Sequence, residues 1–105
     1  MKKKKALELI QSCNNLDEKF SVAYDVLDHS PPISQDKMLM LYAFYKQAVF
    51  GDFIETEDTE QDGVSNYIQT FKNNAWSQVK NLTTIEAKEK YIEFTLKVIE
   101  EDYKD

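Results

Sequence analysis

Met38-Leu39-Met40-Leu41-Tyr42-Ala43-Phe44-Tyr45-Lys46-Gln47-Ala48-Val49-Phe50-Gly51 is the stretch that decides the fold. Met38, Leu41, Tyr45 and Ala48 recur at i, i+3, i+7 and i+10, which is one face of an α-helix. Leu39, Tyr42, Lys46 and Val49 repeat that spacing one residue on, so two apolar stripes lie side by side. A helix with so wide a buried face packs on more than one partner. Ser34 is positioned to cap its start and Gly51 to end it, because glycine accepts the left-handed conformation that closes many helices.

Outward from this helix the same periodicity continues. Leu16, Phe20, Ala23 and Leu27 mark a preceding helix with Asn15 as N-cap and Asp17 and Glu18 near the positive end of its dipole. His29-Ser30-Pro31-Pro32 must stop it, since a proline disfavours helical backbone in the residue before it. Residues 52–65 form an acidic, least helical stretch. From about Asn66 a third helix runs through Tyr67, Phe71, Ala75 and Val79, with Trp76 at its shoulder and Asn81 at its end. Thr83 and Glu86 form a capping box ahead of a last helix that points Ala87, Tyr91, Phe94 and Val98 inward and Lys88, Glu89, Lys97 and Glu101 outward. The reading is all-α: four main helices with one long connection between the second and third. Residues 1–15 form an N-terminal extension with a short apolar patch at Ala6, Leu7 and Ile10, open to being an extra helix. Residues 16–105 form the domain.

Composition narrows the function. With 105 residues there is room for one domain, and two glycines and two prolines are too few for the turns of an all-β fold. A single cysteine, Cys13, excludes an internal disulfide and cysteine-rich zinc sites, and a single histidine, His29, leaves most metal-hydrolase chemistry without ligands. Cys13 and His29 lie in different segments with no third group to orient them, so catalysis is not expected. No run approaches the roughly 18 apolar residues of a membrane span, and Lys2–Lys5 is not followed by the apolar core and cleavage site of a secretory signal. Asp58, Glu60, Asp62 and Gly63 mimic the opening of a calcium loop, but Gln69 stands where a bidentate glutamate is needed, so a solvated acidic loop is the expectation. Lys2–Lys5 is set against a net charge of −6 with no basic stripe behind it, which argues against a grip on nucleic acid or on an anionic membrane surface and for a frayed, hydrated N-terminus.

One group of residues suggests ligand chemistry. Tyr42 and Lys46 are one turn apart with Tyr45 beside them, Lys72 lies one turn before Trp76, and Tyr91 is on the inner face of the last helix. Gathered at one end of a bundle, tyrosine rings and two ammonium groups suit a ligand with a flat ring, phosphates and an apolar tail. Tyrosines at helical spacing also serve as core, and lysines as solvated surface, so the pattern alone leaves both readings open.

Leu41-Tyr42-Ala43-Phe44-Tyr45-Lys46-Gln47-Ala48-Val49-Phe50-Gly51-Asp52 closely resembles the L-Y-x-x-Y-K-Q-A-x-x-G-D signature of the acyl-CoA-binding protein family. Lys72-Asn73-Asn74-Ala75-Trp76 is similar to its K-W-D-A-W, Glu86-Ala87 with Tyr91 to its acidic-Ala-x-x-x-Tyr, and Phe20-x-x-Ala23 to the F-x-x-A of its first helix. The resemblance covers roughly residues 16–103. It implies a four-helix bundle in up-down-down-up order and non-catalytic, reversible binding and intracellular (cytoplasmic) carriage of long-chain acyl-CoA. The implied protein is a monomer that needs no metal or other cofactor and meets acyl-CoA-using enzymes and membranes transiently. Tyr42 and Tyr91 would contact the adenine and nearby groups, and Lys46 and Lys72 the 3′-phosphate region. Tyr45, with Ala43 and Phe44, belongs to the same binding segment, and Trp76 would pack between helices. Asn73 replaces the first tryptophan of the motif, Asp28 and Ile68 stand at positions the family often makes basic, and the loop from Asp52 to Asn66 is long and acidic. These departures imply weaker binding or a different preferred chain length. The alternative is a helical protein-interaction module that has lost its ligand.

Overall fold

The computed structural model describes residues 2–51 and 63–104, with 63–69 as backbone only. Among them are five helices and no strand: α1 Lys3–Gln11, α2 Leu16–Asp28, α3 Gln35–Phe50, α4 Gly63–Gln78 and α5 Thr84–Asp102. The starts of α2, α3 and α5 have a local cause. Asn15 Oδ1 accepts the Glu18 N–H at 2.8 Å, and Ser34 Oγ accepts that of Lys37 at 3.3 Å. The Thr83–Glu86 box is reciprocal, with both hydrogen bonds at 3.1 Å. Gly51 closes α3 at φ +80°, a conformation that strains any residue with a Cβ, and an added Cβ would also press to 3.3 Å from Thr84.

α3 packs on both α4 and α5, as its two apolar stripes predict. α2 packs on α5, and α1 on α2 and α5. The core runs through Ala23, Val26, Leu41, Phe44, Trp76, Tyr91, Val98 and Ile99. Its ends are tied by polar contacts: Tyr103 donates its hydroxyl to the Val26 carbonyl at 2.9 Å, and Lys37 bonds Asp102 at 2.8 Å.

Several expectations change. The N-terminal segment is not a frayed tail: Ala6 and Ile10 are buried, and the Lys3 N–H donates to the Lys104 carbonyl at 3.0 Å. Burial of one apolar stripe is enough to hold a helix this short, which could not persist alone in water. α4 begins at Gly63 rather than near Asn66. Phe71 is 39% exposed and Val49 49% exposed, so neither belongs to the core. The calcium-like loop lies mostly outside the described residues, as does the acidic connection over 52–62.

Candidate functional site

The side of α3 that carries Tyr42, Tyr45 and Lys46 faces a gap. α2 and α3 both lean on α5, but among the described residues their backbones do not approach one another. Between them opens a cavity of about 550 Å³ with Tyr91 of α5 in its lining. Tyr42, Tyr45 and Lys46 line one wall and Tyr24, Leu27 and Asp28 the other. Pro31, Pro32, Ile33 and Met38 line the end where α2 passes into α3.

Rings span the gap. Tyr45 stacks on Tyr24 at 5.1 Å and on Phe20 at 5.9 Å between centroids, and Phe20 meets Tyr91 edge-on at 4.9 Å. Such pairs contribute about 0.5–1.5 kcal/mol each beyond area burial, which braces the walls while leaving the space open. Tyr91 is pushed well above the ordinary tyrosine range by burial and then by the Tyr24 and Tyr45 phenols, and Tyr42 is raised by burial. Both therefore keep their protons at neutral pH and can donate hydrogen bonds.

The charged end is built on Tyr42. Lys46 Nζ lies 5.6 Å from its ring centroid and Lys72 Nζ, from α4, lies 5.3 Å from the same ring. Lys46 also sits 4.5 Å from the Phe50 ring. Among the described residues neither ammonium is within ion-pair distance of a carboxylate. Two such cations beside an aromatic face favour an anion that also carries a ring.

Of the residues expected here, Tyr42, Tyr45, Lys46 and Tyr91 line the cavity, and Lys72 joins them through the Tyr42 ring. Ala43 and Phe44 do not. Ala43 is fully buried, and Phe44 is in the core 6.2 Å from Phe94. Each helical residue turns about 100° from the last, so 42, 45 and 46 share a face that 43 and 44 cannot. Trp76 is buried, as expected of a packing residue, and its Nε1–H donates to Gln47 Oε1 at 3.0 Å. Asp28 is on the cavity wall and Asn73 is half-buried, while the side chain of Ile68 is not described.

The sequence reading missed Tyr24, Leu27 and the Pro31–Met38 end. Tyr24 follows Phe20 by one turn, a spacing that could have placed it on the same aromatic face. Pro31-Pro32 signals a helix stop in the sequence, and two residues without N–H groups also leave an apolar surface. Among the described residues no three His, Cys, Asp or Glu groups converge on a metal site, and no helix is long and apolar enough to cross a membrane.

Residues 17–95 match the family model described as acyl CoA binding protein. Acyl-CoA-binding protein homolog 3 of Caenorhabditis elegans is 32% identical over 83 residues, which cover 74% of this chain and 68% of the relative. The acyl-CoA-binding protein of Saccharomyces cerevisiae is 39% identical over 59 residues, 56% of this chain and 63% of the relative, so the match spans a little under two thirds of that protein. Among solved structures, Oryza sativa acyl-CoA-binding protein 2 superposes with a TM-score of 0.68 at 31% identity, over 82% of this chain and 90% of that one. The fold is thus the helical bundle of those proteins, and the chain belongs to the acyl-CoA-binding protein family.

Proposed function

We propose that this protein binds fatty acyl-CoA thioesters reversibly and without chemical change, and carries long-chain acyl-CoA within the cytoplasm as a soluble monomer. The observation that carries the reading is the pair of ammonium groups, from α3 and α4, set against one tyrosine ring at the mouth of an apolar cavity. In this reading Tyr42 and Tyr91 contact the adenine and adjoining groups, Lys46 and Lys72 take the phosphates, and Tyr45 supports the rings. The end lined by Leu27, Pro31, Ile33 and Met38 suits the acyl tail.

Magnitudes favour the assignment. A charge-assisted hydrogen bond to phosphate contributes about 1.5–3 kcal/mol, and stacking of a base on an aromatic ring about 1–3 kcal/mol. Each methylene buried adds about 0.8 kcal/mol, so affinity should rise with chain length until the apolar end is filled. Asp28 on the wall opposes an anion, which supports binding weaker than in a wholly basic site.

Calorimetric titration with acyl-CoAs of graded length tests this. Lys46→Ala with Lys72→Ala should lose about 3 kcal/mol of binding while the melting curve moves little, since both side chains are half-buried at most. Unchanged affinity in that variant would remove the phosphate assignment and favour an interaction module on the same scaffold.

A further inference from the structure

A second charged feature lies outside the cavity walls. Lys2, Lys3, Lys4 and Lys5 enter the structure on a packed helix: α1 begins at Lys3, buries Ala6 and Ile10, and is bonded through the Lys3 N–H to the Lys104 carbonyl. Five lysines therefore share one end of the molecule on ordered backbone. Among the described residues none of the five is within ion-pair distance of a carboxylate, and the first turn of α1 contains no acidic residue. The same end also carries Asp36, Glu100, Glu101 and Asp102, of which Lys37 holds the last two. Six of the acidic residues and none of the lysines fall within 52–62, so the remainder of the chain is neutral.

The same end exposes apolar surface. Lys37 bonds Asp102 at 2.8 Å and Glu101 at 3.3 Å, which draws the first turn of α3 to the last turn of α5 and occupies two nearby carboxylates. Met38, the next residue, is 56% exposed, and Pro32 is exposed. Ser30 and Pro31 line both the main cavity and a neighbouring groove that reaches Asp102 and Lys104, so Lys104, to which the start of α1 is bonded, borders the cavity's apolar end.

From this juxtaposition we propose that the end formed by the start of α1, the end of α5 and the Pro31–Met38 segment is a docking face for an anionic lipid surface. Lysines meet the headgroup phosphates while Met38 and Pro32 enter the interface. Cations mixed with exposed apolar side chains fit a bilayer interface better than a nucleic-acid backbone, which offers phosphate without an apolar layer. Docking does not depend on the ligand reading. If both hold, the tail end of the cavity opens toward the membrane.

Flotation of the full chain with vesicles tests the proposal. Partition should be strong on phosphatidylcholine vesicles containing a third phosphatidylserine, weak on phosphatidylcholine alone, and suppressed by high salt. Lys2→Gln with Lys4→Gln and Lys5→Gln should lower partition about a hundredfold, since each lysine near such a surface contributes about fivefold. Lys80→Gln with Lys90→Gln, exposed toward the other end of α5, should leave it unchanged. Acyl-CoA titration of the triple variant should match the unaltered protein, which separates failure of docking from failure of ligand binding. Partition that ignores phosphatidylserine, or that survives the triple substitution, overturns the docking face. So does a short duplex oligonucleotide that displaces the protein from vesicles.

Discussion

The two sides of α3 were built from neighbouring residues and finished in opposite ways. On the side facing α4, Gln47 is fully buried and spends its whole amide. Its Oε1 accepts from Trp76, and its Nε2 donates toward the Leu82, Gly51 and Lys80 carbonyls at 2.7, 2.9 and 3.1 Å. One side chain thus joins the ends of α3 and α4 to the approach to α5, and no buried side-chain polar atom among the described residues lacks a partner. On the side facing α2, Tyr42, Tyr45 and Lys46 are left half-exposed around open space. Sealed polar chemistry holds the bundle, and unsealed polar chemistry remains available to a ligand.

The comparison is broken most severely at its sealed side. Trp76→Ala should cost about 3–5 kcal/mol of stability in chemical denaturation, through lost burial and an orphaned Gln47 oxygen. Gln47→Leu should cost about 2–3 kcal/mol, because the indole N–H and the carbonyls it served are left without that partner. A cost under 1 kcal/mol would show the amide to be incidental.

The open side should answer in binding instead. Tyr42→Ala should weaken acyl-CoA binding by about 1–3 kcal/mol by calorimetry, with a smaller change in stability, since the ring is only partly buried and also faces both lysines. An equal loss of stability would make Tyr42 a core residue after all.

Alkaline titration sharpens the contrast at Tyr91. Its folded-state pKa is raised above the ordinary tyrosine value of 10.0, so the unfolded chain releases its proton first as pH climbs. The stabilising contribution is complete below that value and is lost as pH rises above it. Stability should therefore fall beyond about pH 10, and Tyr91→Phe should make the fall shallower without abolishing it, because Tyr42 and Tyr103 are also raised by burial. Identical slopes would contradict the burial argument. The smallest effect belongs to Lys88, which reaches Asp17 at 2.6 Å on the surface between α5 and α2. Lys88→Gln should change stability by about 0.5 kcal/mol or less, because Asp17 is largely solvated and salt screens the pair.

Caps and stripes were legible in the chain because they are local. Asn15, Ser34 and Thr83 act on N–H groups three residues away, and the 3.6-residue period needs no knowledge of the partner helix. The Tyr42–Lys46 spacing was legible for the same reason. Ala43 and Phe44 were carried along with their segment because resemblance marks a stretch of chain, whereas binding is decided by the face. The end of α2 and the Pro31–Met38 segment were missed because nothing local says that α2 and α3 stand apart. The lysine run reads as a tail in the sequence because the burial of Ala6 and Ile10 depends on how α1 folds back on α2 and α5, which no local pattern states.

The order of amino acids by itself determined the all-helical character, the capped starts of α2, α3 and α5, the closing glycine and the family, since each depends on contacts within a few residues or on a motif copied intact. Only the tertiary structure decided that Lys72 meets the ring of Tyr42, that Gln47 is a buried tie, that a cavity separates α2 from α3, and that the first lysines lie against Lys104. Those outcomes depend on how helices far apart in the chain lean on α3 and α5, and such crossings are set by the packing of whole faces rather than by any one residue's preference.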